Sequence, residues 1–420
     1  MKTTAVRLYG EKDLRLESFE LPEMKEDEIL VKIISDSVCM STYKLVQQGD
    51  KHKRVSESLS EHPAVIGHEL SGIIVEAGSR WKDKYQKGMK FTVQPEVTIG
   101  GVSRTVGYNY GAYGGDSTYS ILPAEVMETG SLILFKGESF FEASLSEPAS
   151  CIIAGYHRMY HTSKTSHQHI MGVKEQGSQI ILGACGPMGL ECIDYALQID
   201  NGPSLIVAVD VSDERIARAE KMLKPEDDTK KLIFVNSGKL EDPVEELRAL
   251  TAGYGYDDVF VYAPVRALIE QADKLLAEDG CLNFFAGPVD QSLSAEVNFY
   301  NVHYARTHTV GFTGSTNEDL YEALRLMEEG RIHPTVMVTH IGGLESAVDT
   351  TLNVPGIPGG KKLIYPHIDL PLTAIEDFRK LSEKDELFGR LADSCDRHQG
   401  CWNAEAERIL LEHYQVDLTK

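Results

Sequence analysis

Gln179-Ile180-Ile181-Leu182-Gly183-Ala184-Cys185-Gly186-Pro187-Met188-Gly189 decides the fold. A short apolar strand runs into a glycine-rich turn, and an amphipathic helix follows from Leu190 to Ile199. Leu205-Ile206-Val207-Ala208-Val209-Asp210 is then a second continuous apolar strand that ends in an acid. Strand, glycine turn, helix and strand make the βαβ unit of a parallel sheet covered on both faces. Further strands are expected at 232–235, 258–262 and 281–285, which makes this part an α/β, doubly wound parallel sheet.

The turn fits A-x-G-x-x-G through Ala184, Gly186 and Gly189, with Gly183 one residue earlier. Gly183, Ala184, Gly186, Pro187, Met188 and Gly189 would let a pyrophosphate approach the backbone and rest on amides at the helix N-terminus. Asp210 lies 21 residues past Gly189, and its strand-end carboxylate can accept hydrogen bonds from an adenosine ribose. A carboxylate there repels a 2′-phosphate, so NAD is favoured over NADP. Arg215 is close enough in sequence to stack on adenine or soften that preference. The plainer alternative is a glycine turn with an acid that caps a helix.

Upstream, residues 1–145 read as short strands broken by glycine and proline, among them 29–34 and 72–78, a β-rich domain of barrel-like or partly open form. The stretch 96–115 reads as a long loop rich in Gly, Tyr and Thr. Within this half stands Gly67-His68-Glu69-Leu70-Ser71-Gly72, closed by Gly78, with Cys39 before it and Glu147-Pro148 after it. Singly, Cys39 reads equally as a buried apolar cysteine and His68 as a hydrogen-bonded core histidine. Together a thiolate, an imidazole and a carboxylate make a three-ligand catalytic zinc site with an open fourth position. Glu69 would support the metal from behind or replace a ligand during turnover.

At 420 residues two domains are expected, and 42% apolar with 25% charged residues is ordinary for a globular protein. A formal charge of −22 argues against nucleic acid or an anionic membrane as a partner. There is no apolar run of 18 residues and no signal-peptide pattern at the start, so a cytoplasmic location is expected. The seven scattered cysteines form no disulfide framework and fit a reducing compartment. Residues 367–420 read as an acidic helical tail, with periodicity over 372–387 and 404–414.

The order Cys39, Gly67-His68-Glu69, Glu147-Pro148, the glycine turn, Asp210 and Gly360-Lys361 resembles the zinc-dependent medium-chain dehydrogenases, specifically and over about residues 1–366. Within them it is most similar to polyol and sugar dehydrogenases, and the tail and the Gly186-Pro187-Met188-Gly189 turn are similar to the L-sorbose 1-phosphate reductase branch. The resemblance implies a GroES-like catalytic domain (1–150 and 320–366), a Rossmann domain (151–319) and a C-terminal extension (367–420). It implies Cys39, His68 and Glu147 as ligands of one zinc, with hydride transfer between NAD(H) and a sugar, polyol or sugar phosphate in a dimer or tetramer. Ser41 matches the residue that passes a proton outward, and Lys44 stands where a relay histidine is often found. Thr42 replaces a common aspartate, which leaves support for His68 in question. The four closely spaced cysteines of a structural zinc are missing from 96–115. Lys53 and Arg54, in a basic island beside the expected substrate cleft, would suit an anionic group; the alternative is a solvated loop. Two other functions go with this fold. One is a zinc-free enone or quinone reductase, which generally lacks the Cys39, His68 and Glu147 set. The other is an inactive binding protein, which would be expected to lose those ligands first.

Overall fold

A computed structural model describes residues 1–419, which form two compact units. The first unit comprises 1–148, 316–329 and 338–420; the second comprises 149–315 and 330–337. The tail therefore counts with the first unit, and the short segment 330–337 with the second.

The first unit is built on an eight-stranded sheet centred on Ile29–Ser37. That strand is apolar almost throughout and pairs antiparallel with Ser71–Ala77, Tyr119–Leu122 and Lys361–Tyr365. Ile29, Val31, Ile33, Ile74, Phe91 and Val93 from these and the next strand form one buried core. Residues 96–105 are not a loop: Glu96–Ile99 and Val102–Thr105 form a hairpin. Gly100 and Gly101 have φ of +60° and +82°, the left-handed pair that a tight hairpin turn requires.

The second unit carries six parallel strands, Lys231–Asn236, Leu205–Asp210, Ser178–Leu182, Tyr256–Val261, Leu276–Phe284 and His308–Gly311, neighbours in that order. In chain order this is 3-2-1-4-5-6, the doubly wound arrangement that binds ligands outside the carboxyl ends of strands where the order reverses. The glycine turn leaves the first of these strands at that point.

The tail differs from its expected form. Instead of one helix over 372–387, Thr373–Ala374 pairs with Val338–Gly343, and Phe378–Leu381 is a single helical turn. Glu386–Arg397 and Ala404–His413 are the substantial helices, and their apolar sides are buried at Leu387, Leu391, Leu410 and Leu411. Trp402, between them, is fully buried and donates its Nε1–H to the Tyr365 hydroxyl at 2.8 Å. Among the described residues no helix is long and apolar enough to cross a membrane.

Candidate active site

Three local structures position Cys39, His68 and Glu147, the side chains expected to bind the metal. Cys39 caps the helix Met40–Gln48, and its Sγ accepts from the Ser41 amide at 3.5 Å. His68 follows Gly67, whose φ of +92° is left-handed; a Cβ there would strike the Asp36 carboxylate and lie 2.5 Å from the Asp116 amide nitrogen. Glu147 sits two turns into the helix Phe140–Arg158, tied to the central strand by Ser144 and Ser35, 3.2 Å apart.

Donor atoms of Cys39, His68 and Glu69 lie within 4.8 Å of one another. The Ser41 hydroxyl stands between two of them, 3.0 Å from Cys39 Sγ and 3.1 Å from His68 Nε2. Thr42 Oγ1 lies 3.3 Å from His68 Nδ1, so the residue in the aspartate's place supports the ring and leaves Nε2 facing the cluster. His68 and Glu69 are buried, whereas Cys39 and Glu147 are half-buried, so the cluster has an accessible side.

The two glutamates differ in their surroundings. Glu69 receives Lys361 on both oxygens and Ser37 on one, and Lys361 is itself buried. Burial alone would raise its pKa, but the charges of Lys361 and His68 and these hydrogen bonds hold it below the usual carboxylate range. Lys361 is raised in turn, because Glu69 outweighs the effect of burial. Burial and the charge of Glu69 instead push the Glu147 carboxyl up to about 7, against the pull of His68. Burial and Glu69 likewise raise the Cys39 thiol. A dication beside them favours the ionised forms of both. The thiol, imidazole and carboxylate gathered here fit zinc, and the carboxylate grouped with Cys39 and His68 is Glu69, which is also held by Lys361.

Lys44 lies one turn beyond Ser41 on the same helix, half-buried, and burial lowers its pKa while nearby Cys39 raises it. In the basic island, Lys53 is exposed. Arg54 is half-buried, 2.8 Å from Glu96, with its guanidinium 5.5 Å from the centre of the Tyr108 ring. Tyr108 was not singled out by sequence, yet it is buried with its ring 5.7 Å from His68 and 5.4 Å from His52. In the sequence Lys361 stands out only through the resemblance; the two lysines that open the strand Lys361–Tyr365 are the local signal.

In the second unit Gly183 has φ of +80°, and a Cβ on Gly189 would lie 2.5 Å from the Ala184 carbonyl oxygen. A Cβ on Gly186 would meet only the Gly183 oxygen, at 3.6 Å, so that side of the turn is open. The helix Pro187–Gln198 starts there; its first-turn amides at Met188 and Gly189 have no intrahelical acceptor, and Pro187 has no amide to satisfy. Gly183, Gly186, Pro187 and Met188 are all partly exposed. This cradle fits a pyrophosphate. Asp210 is buried and accepts from the amides of Cys185 at 3.1 Å, Val211 at 2.8 Å and Ser212 at 3.2 Å. Its carboxylate therefore shapes the turn and has limited capacity left for a ribose. Arg215 is exposed in the first turn of Asp213–Met222.

The chain matches the model of an alcohol dehydrogenase GroES-like domain over residues 25–129 and that of a zinc-binding dehydrogenase over 187–329. It is 47% identical over 422 residues to mannitol-1-phosphate 5-dehydrogenase of Aliivibrio fischeri, covering 100% of this chain and 99% of the relative. It is 42% identical over 417 residues to L-sorbose 1-phosphate reductase of Klebsiella pneumoniae, covering 99% of each. The solved structure of 2R,3R-butanediol dehydrogenase from Bacillus subtilis superposes with a TM-score of 0.71 at 23% identity, covering 87% of this chain and 99% of that one.

Proposed function

This chain belongs to the zinc-dependent medium-chain dehydrogenase/reductase family, of the polyol and sugar dehydrogenase type, and from that premise we propose that it interconverts an alcohol and a ketone on a sugar or polyol phosphate. Cys39, His68 and Glu147 would hold the zinc, with Glu69, whose carboxylate lies within 4.8 Å of the Cys39 and His68 donor atoms, supporting it or replacing a ligand. Zinc supplies a Lewis acid to the substrate oxygen, and NAD(H) supplies or accepts the hydride.

The observation that carries this reading is the donor cluster with the Ser41 hydroxyl among its atoms. Ser41 is placed to take the substrate proton, and Lys44, one turn further along the helix, is the next group outward. Thr42 fixes the His68 ring. In the second unit, the open side at Gly186 and the amides of Met188 and Gly189 hold the pyrophosphate, and Asp210 favours NAD. The purified protein is expected to contain zinc and to oxidise NADH with ketose phosphates. Metal-free protein that turns over neither ketose phosphates nor free ketoses would sink the reading.

For the substrate phosphate, Arg54 is the better placed of the two basic candidates, since Lys53 points into solvent. Its guanidinium is already paired with Glu96, so a phosphate would share or displace that carboxylate. A charge-assisted hydrogen bond contributes about 1.5–3 kcal/mol, so Arg54→Ala is expected to lower kcat/KM for a ketose phosphate roughly 10- to 100-fold and to spare the free ketose. An equal loss on both would remove Arg54 from this role.

We also infer a homo-oligomer. His308–Gly311 is the open edge of the six-stranded sheet, and Phe299, Tyr300 and Tyr304 are 76%, 67% and 67% exposed in the same unit. Sedimentation as a monomer at micromolar concentration would exclude it.

A further inference from the structure

We propose that Glu407, on the last helix of the tail, is a positioning residue for the metal site: its carboxylate fixes the start of the helix that carries Glu147 and the end of the strand that carries Lys361. The proposal rests on the assignment of Glu147 and Glu69 to that site.

Glu407 is 2% exposed, and its two oxygens take three donors. The amides of Phe140 and Phe141 donate to it at 2.7 Å and 2.8 Å, and the Tyr365 hydroxyl donates at 3.0 Å. Those amides open the helix Phe140–Arg158, where no intrahelical acceptor exists. A carboxylate at that end also meets the positive pole of the helix. A helix is usually capped by the residue just before it, whereas this cap comes from 267 residues away. Glu147 lies seven residues, or about two turns, beyond Phe140 and so on the same face.

The third donor links the second element. Tyr365 is four residues after Lys361 on one strand, so both side chains point to the same face. Lys361 holds Glu69, and Tyr365 is held by Glu407 on one side and Trp402 on the other. One buried carboxylate therefore ties down the helix that carries Glu147 and the strand whose Lys361 holds Glu69. Both family models end before the tail, while the mannitol-1-phosphate and sorbose 1-phosphate relatives match this chain across it.

The test measures zinc affinity by chelator competition on the full-length protein for the wild type, Glu407→Gln, Glu407→Ala, Glu147→Gln and Leu411→Ala. Leu411 is buried on the same helix and touches none of these hydrogen bonds, so its variant controls for a loosened tail. Residues that orient metal ligands typically cost 10- to 100-fold in affinity when lost. Glu407→Ala is expected to weaken zinc binding about ten-fold, with Glu407→Gln in between because its amide keeps one acceptor oxygen. Leu411→Ala should leave affinity unchanged even where it lowers Tm as much. Wild-type affinity in Glu407→Ala, or a loss that Leu411→Ala matches, overturns the proposal. If Glu407→Ala does not fold, Glu407→Gln against Leu411→Ala decides by the same comparison. Wild-type affinity in Glu147→Gln overturns the ligand assignment instead, and the Glu407 comparison still reads the hold on Tyr365 and Lys361.

Discussion

Glu69 and Glu147 approach one site, but they answer to different neighbours. Glu69 is the counter-charge of a buried lysine, and removing one partner of such a pair leaves the other uncompensated, at about 3–5 kcal/mol. Glu69→Gln is therefore expected to lower stability in denaturant by that amount. Glu147→Gln should instead lose zinc and activity with a midpoint close to wild type. Equal stability losses in the two variants would show that the carboxylates are not divided in this way. The sequence marked Glu69 through its place beside His68, but its partner lies 292 residues away. A pairing over that distance leaves no local pattern, so only the oddity of two lysines in an apolar strand hinted at it.

At the scale of elements, what was legible was what is decided locally. The turn at Gly183 to Gly189 was readable because its glycines, strand and helix are contiguous, and the helix starts only a few residues earlier than expected, at Pro187. The hairpin over 96–105 is hidden in the sequence by Gly and Tyr, which suggest a loop, although Gly100-Gly101 between β-branched residues is a tight-turn signal. Thr373–Ala374 reads as helix from its local periodicity because its strand partner, Val338–Gly343, lies outside any local window.

One small element also gives a pH prediction. His161, in the strand Tyr160–Thr162, has Nε2 3.1 Å from Asp258 and Nδ1 3.0 Å from the Asp279 carbonyl. Burial lowers its pKa, but hydrogen bonding to and the charge of Asp258, with Asp279, outweigh that, and the net direction is up. A histidine whose pKa is raised on folding contributes stability that is complete below its unfolded value, about 6.5, and that fades as pH rises through the folded value. The Tm gap between wild type and His161→Gln should therefore be wider near pH 6 than near pH 9, by calorimetry. A gap independent of pH would mean that the imidazole is held neutral.

For the molecule as a whole, the tail is part of the first unit's core. Leu387, Leu391, Trp402, Leu410 and Leu411 are all buried, and each such side chain is worth about 1.5–3 kcal/mol. Truncation after residue 366 removes more than a typical domain's net stability of about 5–15 kcal/mol can spare. The truncated chain is expected to be insoluble or to bind apolar dyes, and a well-folded, zinc-loaded product would refute this. Trp402 has a separate use. The chain has only two tryptophans, and the other, Trp81, is partly exposed near the surface, hydrogen-bonded to the Asp27 carbonyl. Substituting Trp81 with phenylalanine would leave a single tryptophan, fully buried and hydrogen-bonded to the Tyr365 hydroxyl. A red shift of its emission would then report release of the tail in real time, without any label.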